Sequence, residues 1–307
     1  MINSLINSVV DWIVVFATDA LMPFMVVTFI VAVILRLIIS FTVSRELWFS
    51  KEFEKRVNHF LEESDAKTDL SFFVTTKRLL EKTYYELFVV RSIMKRRKPD
   101  AVTSLTDRLF LIQHGCARTV RNTLNQTRFL KYGAHPPRLL EIAKNVLESN
   151  PCFNRALGVI PTGSFNEFLH TLTSLFIVGG IFGTFLGIMK ALPELSGMNL
   201  NDIEGTKAVM DTFLIKVSFS MSTSIVGIIL SVVLTMLNMF FSADRMYLSA
   251  VDRFEASLSL LWTRCSNNTM PVDVQQFDEH RDPMEALAEQ ALGEELAKKK
   301  PFIQKVA

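Results

Sequence analysis

The chain has 307 residues, with 33 Lys and Arg against 31 Asp and Glu, and its mean hydropathy is +0.28. Positive mean hydropathy beside 21% charged residues indicates an apolar and an aqueous zone, which excludes an ordinary soluble enzyme and a disordered chain. The formal net charge of only +2 shows no excess of positive charge of the kind that indicates nucleic-acid binding. Three widely spaced cysteines without a CxxC pair indicate neither a disulfide framework nor a zinc site, so no metal and no cofactor are expected.

Three segments are long and apolar enough to cross a membrane, which takes about 20 mostly apolar residues. They run over 21–43, 168–192 and 209–241. No basic leader or small-residue cleavage site precedes the first segment, so it is interpreted as an uncleaved anchor. Arg36 and Lys216 lie close enough to span ends that snorkelling of their long side chains is the favoured interpretation.

The distribution of basic residues predicts the orientation. No Lys or Arg precedes the first span, whereas the long segment after it contains the basic run 95–98 (KRRK). Basic residues favour the cytoplasmic side, so the N-terminus is expected outside and the C-terminus inside. In chain order we predict a periplasmic N-terminal segment (1–20), span one (21–43), a cytoplasmic helical domain (44–167), span two (168–192), a periplasmic loop (193–208), span three (209–241) and a cytoplasmic helical extension and tail (242–307).

Apolar periodicity predicts helices throughout the cytoplasmic domain. The helical spacing recurs at 51–64, 70–97, 102–131 and 138–149. The third membrane helix is expected to continue past its span with an apolar stripe formed by Tyr247, Val251, Phe254, Leu258 and Leu261. The residues after 264 are interpreted either as a short amphipathic helix behind a loop or as a solvated, partly disordered tail. The fold class predicted is an all-α membrane protein with three transmembrane helices and a large helical cytoplasmic domain.

No nucleophile or metal-protease motif appears in the chain, so an enzyme is not expected. The informative pattern lies in the spans. Gly179, Gly183 and Gly187 recur every four residues along one face of span two. Small residues at this spacing let another membrane helix approach closely, and simple helix packing is the alternative interpretation to a functional role.

Span three has a matching stripe of small polar residues. Ser220, Thr223 or Ser224, Gly227 and Ser231 share one helix face, and five hydroxyls lie between positions 218 and 224. Such hydroxyls could line a narrow path for protons or ions. A proton relay usually needs a titratable group within the membrane, yet no Asp or Glu lies deep in any span. A partner chain is therefore expected to bring the carboxylate.

The span-two string GGIFGTFLGIMKAL and the span-three string FSMSTSIVGIILS resemble the MotA/TolQ/ExbB proton-channel family, and the three-span order is similar to that of its TolQ/ExbB members. The resemblance implies a homopentamer in the bacterial inner membrane. It implies that the pentamer surrounds a dimer of an ExbD/TolR/MotB-like single-span protein whose aspartate carries protons. The proton-motive force would then drive rotation or mechanical work.

The resemblance also implies roles for individual residues. Thr184 matches the family's span-two threonine, and Ser224 lies where a span-three threonine is often found. With Ser220, Thr223 and Ser231 they are the candidate lining of the ion pathway, and Gly179, Gly183, Gly187 and Gly227 are the candidates for packing around the partner helices. The chain departs from ExbB-type proteins at Phe219, where those proteins carry a glutamate. The alternative function is a membrane-anchored scaffold or signalling protein that works through its cytoplasmic helices.

Overall fold

A computed structural model describes residues 20–63, 70–90, 111–132, 137–156, 160–195, 203–270 and 276–279, with 281 and 288. The helices are α1 (Leu21–Glu63), α2 (Phe72–Tyr84), α3 (Ile112–Thr127), α4 (Leu139–Glu148), α5 (Pro151–Asn154), α6 (Thr162–Leu195), α7 (Ile203–Phe240) and α8 (Ala243–Arg264). A π-helical turn over Tyr85–Val90 continues α2. In these ranges the strands are the two-residue pair β1 (Arg155–Ala156) and β2 (Ile160–Pro161), which is antiparallel.

Three helices of this set are long and apolar enough to cross a membrane. They are α1, α6 and α7, and their most apolar windows have mean hydropathies of 2.7, 2.0 and 2.3. This confirms the predicted class of an all-α membrane protein with three spans. At about 1.5 Å per residue each helix exceeds the roughly 30 Å hydrocarbon layer, so only its apolar part needs to lie in lipid.

The chain divides into two compact units. The first, called the span unit, comprises Met1–Ser40 and Gly163–Ser242, and the second, called the helical unit, comprises Phe41–Thr162 and Ala243–Ala307. The predicted segment 1–20 except for its last residue, the basic run 95–98 and most of the tail after 270 lie outside the described residues.

The helical unit has its own core, to which α1, α2, α3, α4 and α8 all contribute. Its fully buried side chains include Phe53, Leu80, Val120, Ala143 and Phe254. The predicted apolar stripe after span three is confirmed, because Val251, Phe254, Leu258 and Leu261 are completely buried and Tyr247 packs against the same core.

The predicted extension of the third membrane helix forms a separate helix in the structure. Helix α7 ends at Phe240 and α8 begins at Ala243, so the helix is broken at Phe241 and Ser242. A serine directly before a helix whose first turn contains Asp244 is a favourable helix start, since both satisfy or complement the free N–H groups there.

Candidate functional site in the membrane helices

The backbones of α6 and α7 meet at a pair of glycines. A Cβ atom on Gly227 would lie 2.5 Å from the carbonyl oxygen of Phe176 and 3.1 Å from the Cα of Gly180. A Cβ on Gly180 would in turn lie 3.1 Å from the Cα of Ser224. These neighbours are backbone atoms, which cannot rotate away as a side chain can. Glycine is therefore required at this crossing for the two helices to approach so closely.

The other glycines of the span-two stripe receive side chains from α7. A Cβ on Gly183 would lie 2.8 Å from the Cγ2 of Thr223, and one on Gly187 would lie 2.5 Å from the Cβ of Ser220. Ser220 also donates hydrogen bonds from its hydroxyl to the carbonyl oxygens of Thr184, at 2.8 Å, and Gly183, at 3.3 Å. The hydroxyl stripe of span three therefore fits into the glycine stripe of span two within one chain.

Gly179 has the loosest surroundings of the four predicted glycines. A Cβ there would meet the thioether of Met25 in α1, at 3.6 Å from its sulfur, which is an ordinary contact. Met25 also lies 3.2 Å from the position of a Cβ on Gly227, so α1 packs at the same crossing. These contacts account for the glycine stripe as packing within the chain, and the role of the four glycines around partner helices stays a prediction.

The five candidate hydroxyl residues fall into two groups. Ser220, Thr223 and Ser231 are buried within the span unit, whereas Thr184 and Ser224 are half-buried. Thr184 donates its hydroxyl hydrogen to the carbonyl oxygen of Ile181 at 2.7 Å. The Ser224 hydroxyl makes no hydrogen bond to another described residue.

The contacts bring four of these five residues together. Ser220 bonds to the Thr184 carbonyl, and Thr223 and Ser224 lie against Gly183 and Gly180. Ser231 lies seven residues beyond Ser224, about 10 Å farther along α7 at 1.5 Å per residue. The structure therefore places Ser231 apart from the other four candidates.

The outer surface of α7 is strongly apolar beside these hydroxyls. Phe219 is 55% exposed. Met221, Ile225 and Ile228 are exposed on the same helix. Surfaces of this kind need lipid or another apolar helix against them, and Thr184 and Ser224 are half-buried polar groups within that environment.

A second polar cluster, centred on Arg36, was not predicted as a site. Arg36 is 1% exposed, so the interpretation that it snorkels to a span end was wrong. Its guanidinium donates to the Oδ1 of Asn166 in α6 and, at 2.8 Å, to the carbonyl oxygen of Asn238 in α7. The amide of Asn238 donates to the carbonyl of Leu169 at 3.2 Å. Arg36 of α1 is therefore hydrogen-bonded to both of the other membrane helices.

Replacing Arg36 by lysine is expected to destabilise the span unit although the charge is kept. A compact ammonium cannot reproduce the planar fork that reaches Asn166 and Asn238 together. Loss of one hydrogen bond to a charged group costs about 1.5–3 kcal/mol. Thermal unfolding in detergent micelles should show a lower midpoint for Arg36→Lys, while the swap Lys207→Arg at an exposed position should leave it unchanged. Equal midpoints for the two variants would contradict the structural role of Arg36.

Comparison with known proteins adds no assignment. The chain matches no protein-family model, and no curated protein matches it. The site is therefore interpreted from its own geometry.

Proposed function

We propose that the chain is the outer-ring subunit of a motor in the bacterial inner membrane that is driven by the proton-motive force. The supporting observation is the pair of half-buried hydroxyls, Thr184 and Ser224, beside the glycine crossing of α6 and α7 in spans that carry no deep carboxylate. A homopentamer would present five such pairs to a dimer of an ExbD/TolR/MotB-like single-span protein whose helix carries the proton-binding aspartate.

The two hydroxyls suit the two protonation states of such an aspartate. The Ser224 hydroxyl has no hydrogen-bond partner in the described chain, so it can donate to a charged carboxylate. The Thr184 hydroxyl already donates to Ile181, so its oxygen is left to accept from a protonated carboxyl. A carboxylate at membrane depth is costly unless polar groups contact it, so each state would bind a different part of the pair.

Proton flow would then produce movement. Uptake of a proton neutralises the aspartate and lets the partner helices pass the apolar surface around Phe219. Release toward the cytoplasm restores the charge, which binds the hydroxyls of the next subunit. The membrane potential supplies about 2.3 kcal/mol per charge for each 100 mV. The N-terminus is periplasmic and the C-terminus cytoplasmic in this proposal.

A second candidate function is a membrane-anchored scaffold or signalling protein. The observation in its favour is that the helical unit has a core of its own, to which α1, α2, α3, α4, α5 and α8 contribute. A membrane anchor, however, needs neither glycines at a close crossing of two helices nor hydroxyls beside that crossing.

The native mass of the complex separates the two candidates. The complex extracted from its own membrane with mild detergent should contain five copies of this chain and two copies of a single-span protein that carries a membrane aspartate. A monomer or a simple dimer of this chain would contradict the motor and support the scaffold.

A further inference from the structure

The helical unit contains a basic cavity that no part of the proposed motor uses. The cavity has a volume of about 370 Å³. Its lining residues come from α3, α5 and the tail, and they are His114, Arg118, Arg121, Asn122, Cys152 and Glu279. Cavities that bind small molecules have volumes of roughly 300–1,000 Å³, so this cavity is large enough to hold one.

The basic side chains of the cavity lie on one face of α3. His114, Arg118 and Arg121 follow one another at intervals of four and three residues, which places neighbouring side chains one helical turn apart. All three residues are exposed, whereas Cys116 and Val120 of the same helix are buried in the core. The burial of its apolar face therefore fixes which face of α3 carries the positive charge.

The guanidinium groups of Arg118 and Arg121 provide the donors of the cavity. Neither group forms a hydrogen bond or an ion pair with another residue in the part of the chain that the structure describes. A guanidinium carries five N–H donors in a planar fork, which matches the oxygens of a phosphate or a carboxylate. Two such forks one turn apart can therefore bind one anion together.

Helix α5 forms the second wall of the cavity, and hydrogen bonds to α3 fix its position. The side-chain amide of Asn150, directly before α5, donates to the carbonyl oxygen of Gly115 at 2.7 Å and to the hydroxyl of Thr119 at 2.9 Å. A Cβ atom on Gly115 would lie 3.0 Å from the Cβ of Cys152, so glycine allows the close approach of the two helices. Buried contacts therefore hold this wall in place.

The Cys152 thiol adds no negative charge to the cavity. It is half-buried, and burial raises its pKa, while the positive charge of Arg118 acts in the opposite direction. A thiol with a raised pKa is protonated at neutral pH. Within the described residues, no three His, Cys, Asp or Glu side chains come together as metal ligands would. The cavity therefore suits an anion better than a metal ion.

The carboxylate at the cavity, that of Glu279, is brought there by the docking of the tail. The ring of Phe277 packs against that of Tyr85, with the centroids 6.1 Å apart, and the Tyr85 hydroxyl donates to the carbonyl oxygen of Asp278 at 2.6 Å. One residue later, the Oε2 of Glu279 lies 4.0 Å from the Nδ1 of His114. A negative group of the chain itself therefore lies among the basic groups.

A phosphate group suits the two arginines better than a carboxylate does. A carboxylate has two oxygens, and a single guanidinium fork occupies both of them when it binds in the bidentate geometry. A phosphate monoester has three terminal oxygens and a charge of about −1.5 to −2 at pH 7, so it can accept hydrogen bonds from two forks.

We infer that this cavity binds a phosphate-bearing small molecule, with Arg118 and Arg121 on its phosphate oxygens and Glu279 as a competitor for the same basic groups. Free inorganic phosphate and the phosphate esters of nucleotides supply the same chemistry. The bound phosphate repels the Glu279 carboxylate because the two negative charges lie in one cavity. The inference uses residues of the helical unit alone and does not require the proposed motor.

Isothermal titration calorimetry of the purified full-length chain in detergent micelles tests the site. The probes are inorganic phosphate, pyrophosphate and AMP, with citrate as the carboxylate probe at equal ionic strength. At least one phosphate-bearing probe should bind once per chain, and citrate should bind more weakly than it does. Tighter binding of AMP than of inorganic phosphate supports an ester as the ligand, and the reverse order supports the free ion. Absence of binding by all three phosphate probes at millimolar concentration overturns the inference.

Two further probe results would also overturn it. Citrate that binds as tightly as the phosphate probes would show that the site does not select phosphate. A glutamate-rich peptide that binds more tightly than they do would identify an acidic protein segment as the ligand.

Substitution of the arginines locates the bound phosphate. Arg118→Gln and Arg121→Gln should each weaken binding about tenfold or more, the usual effect of losing a hydrogen bond between charged groups. The matched control is Arg128→Gln, because Arg128 is exposed directly after α3 and does not line the cavity. This control should bind as the wild type does, and thermal unfolding checks that all three variants are folded. Equal affinities of the three variants and the wild type overturn the inference.

Removal of the competing carboxylate should have the opposite effect. Glu279→Gln should tighten phosphate binding about two- to fivefold, the range expected for an interaction between partly exposed charges. Glu62→Gln removes the same charge at an exposed position on α1 and should leave the affinity unchanged. Wild-type affinity in Glu279→Gln overturns the role assigned to Glu279. None of these measurements involves ion flux or a partner, so a negative result here leaves the proposed function standing.

Discussion

Replacing both Thr184 and Ser224 by alanine should abolish partner-dependent proton flux while the complex still assembles. The two hydroxyls are the half-buried members of the candidate set, and neither fills the glycine crossing with its side chain. Without them a partner's carboxylate would face an apolar surface at membrane depth, where a charge costs at least about 2.5–3.5 kcal/mol. The neutral state would lose its acceptor in the same variant.

The flux is measured with a pH-sensitive dye in proteoliposomes that contain the chain and its co-purified single-span partner. The matched control is Thr171→Ala with Thr235→Ala, which likewise removes one hydroxyl from α6 and one from α7. Each of these two control hydroxyls donates to the carbonyl four residues earlier. The control should conduct as the wild type does. Wild-type flux in the Thr184 and Ser224 double variant would overturn the assignment of these residues.

Replacing Gly227 by alanine should destabilise the span unit by about 1–3 kcal/mol, the usual cost of an additional methyl group in a tightly packed interior. The new Cβ would lie 2.5 Å from the Phe176 carbonyl oxygen, which is fixed by its own helix. The matched change Gly179→Ala adds the same methyl group to α6. The nearest atom to the new Cβ there is the Met25 sulfur, at 3.6 Å.

The changes in stability caused by Gly227→Ala and Gly179→Ala should differ in sign. Alanine is favoured over glycine within a helix by about 1 kcal/mol, so Gly179→Ala should be neutral or slightly stabilising. Thermal unfolding in micelles measures both changes under the same conditions. If Gly227→Ala is as stable as Gly179→Ala, the two helices do not pack at this crossing as described.

The three spans could be predicted from the sequence because each is a continuous apolar run, and length and hydropathy are local properties. The apolar stripe of α8 could be predicted for the same reason, since a spacing of three or four residues identifies a buried face. The glycine stripe predicted that Gly179, Gly183 and Gly187 would lie at a close contact. Spacing cannot identify the neighbour, and the structure places Thr223 and Ser220 of the same chain against two of these glycines.

The break at Ser242 was not part of the prediction, although its signal is in the sequence. Serine two residues before Asp244 is a common helix start, but the strongly apolar run that precedes it made a continuous helix the simpler interpretation. The apolar pattern on both sides continues with helical spacing, so periodicity alone does not show the interruption.

By itself the sequence determined the membrane class, the positions of the apolar helices and the faces that carry small and hydroxyl residues. Only the tertiary structure decided the surroundings of the charged groups. Arg36 binds Asn166 and Asn238, which lie 130 and 202 residues away along the chain. Glu46 lies beyond the apolar run of the first span, yet its side chain is only 3% exposed. The energy of a charge depends on the atoms packed around it in space, and local spacing does not encode those atoms.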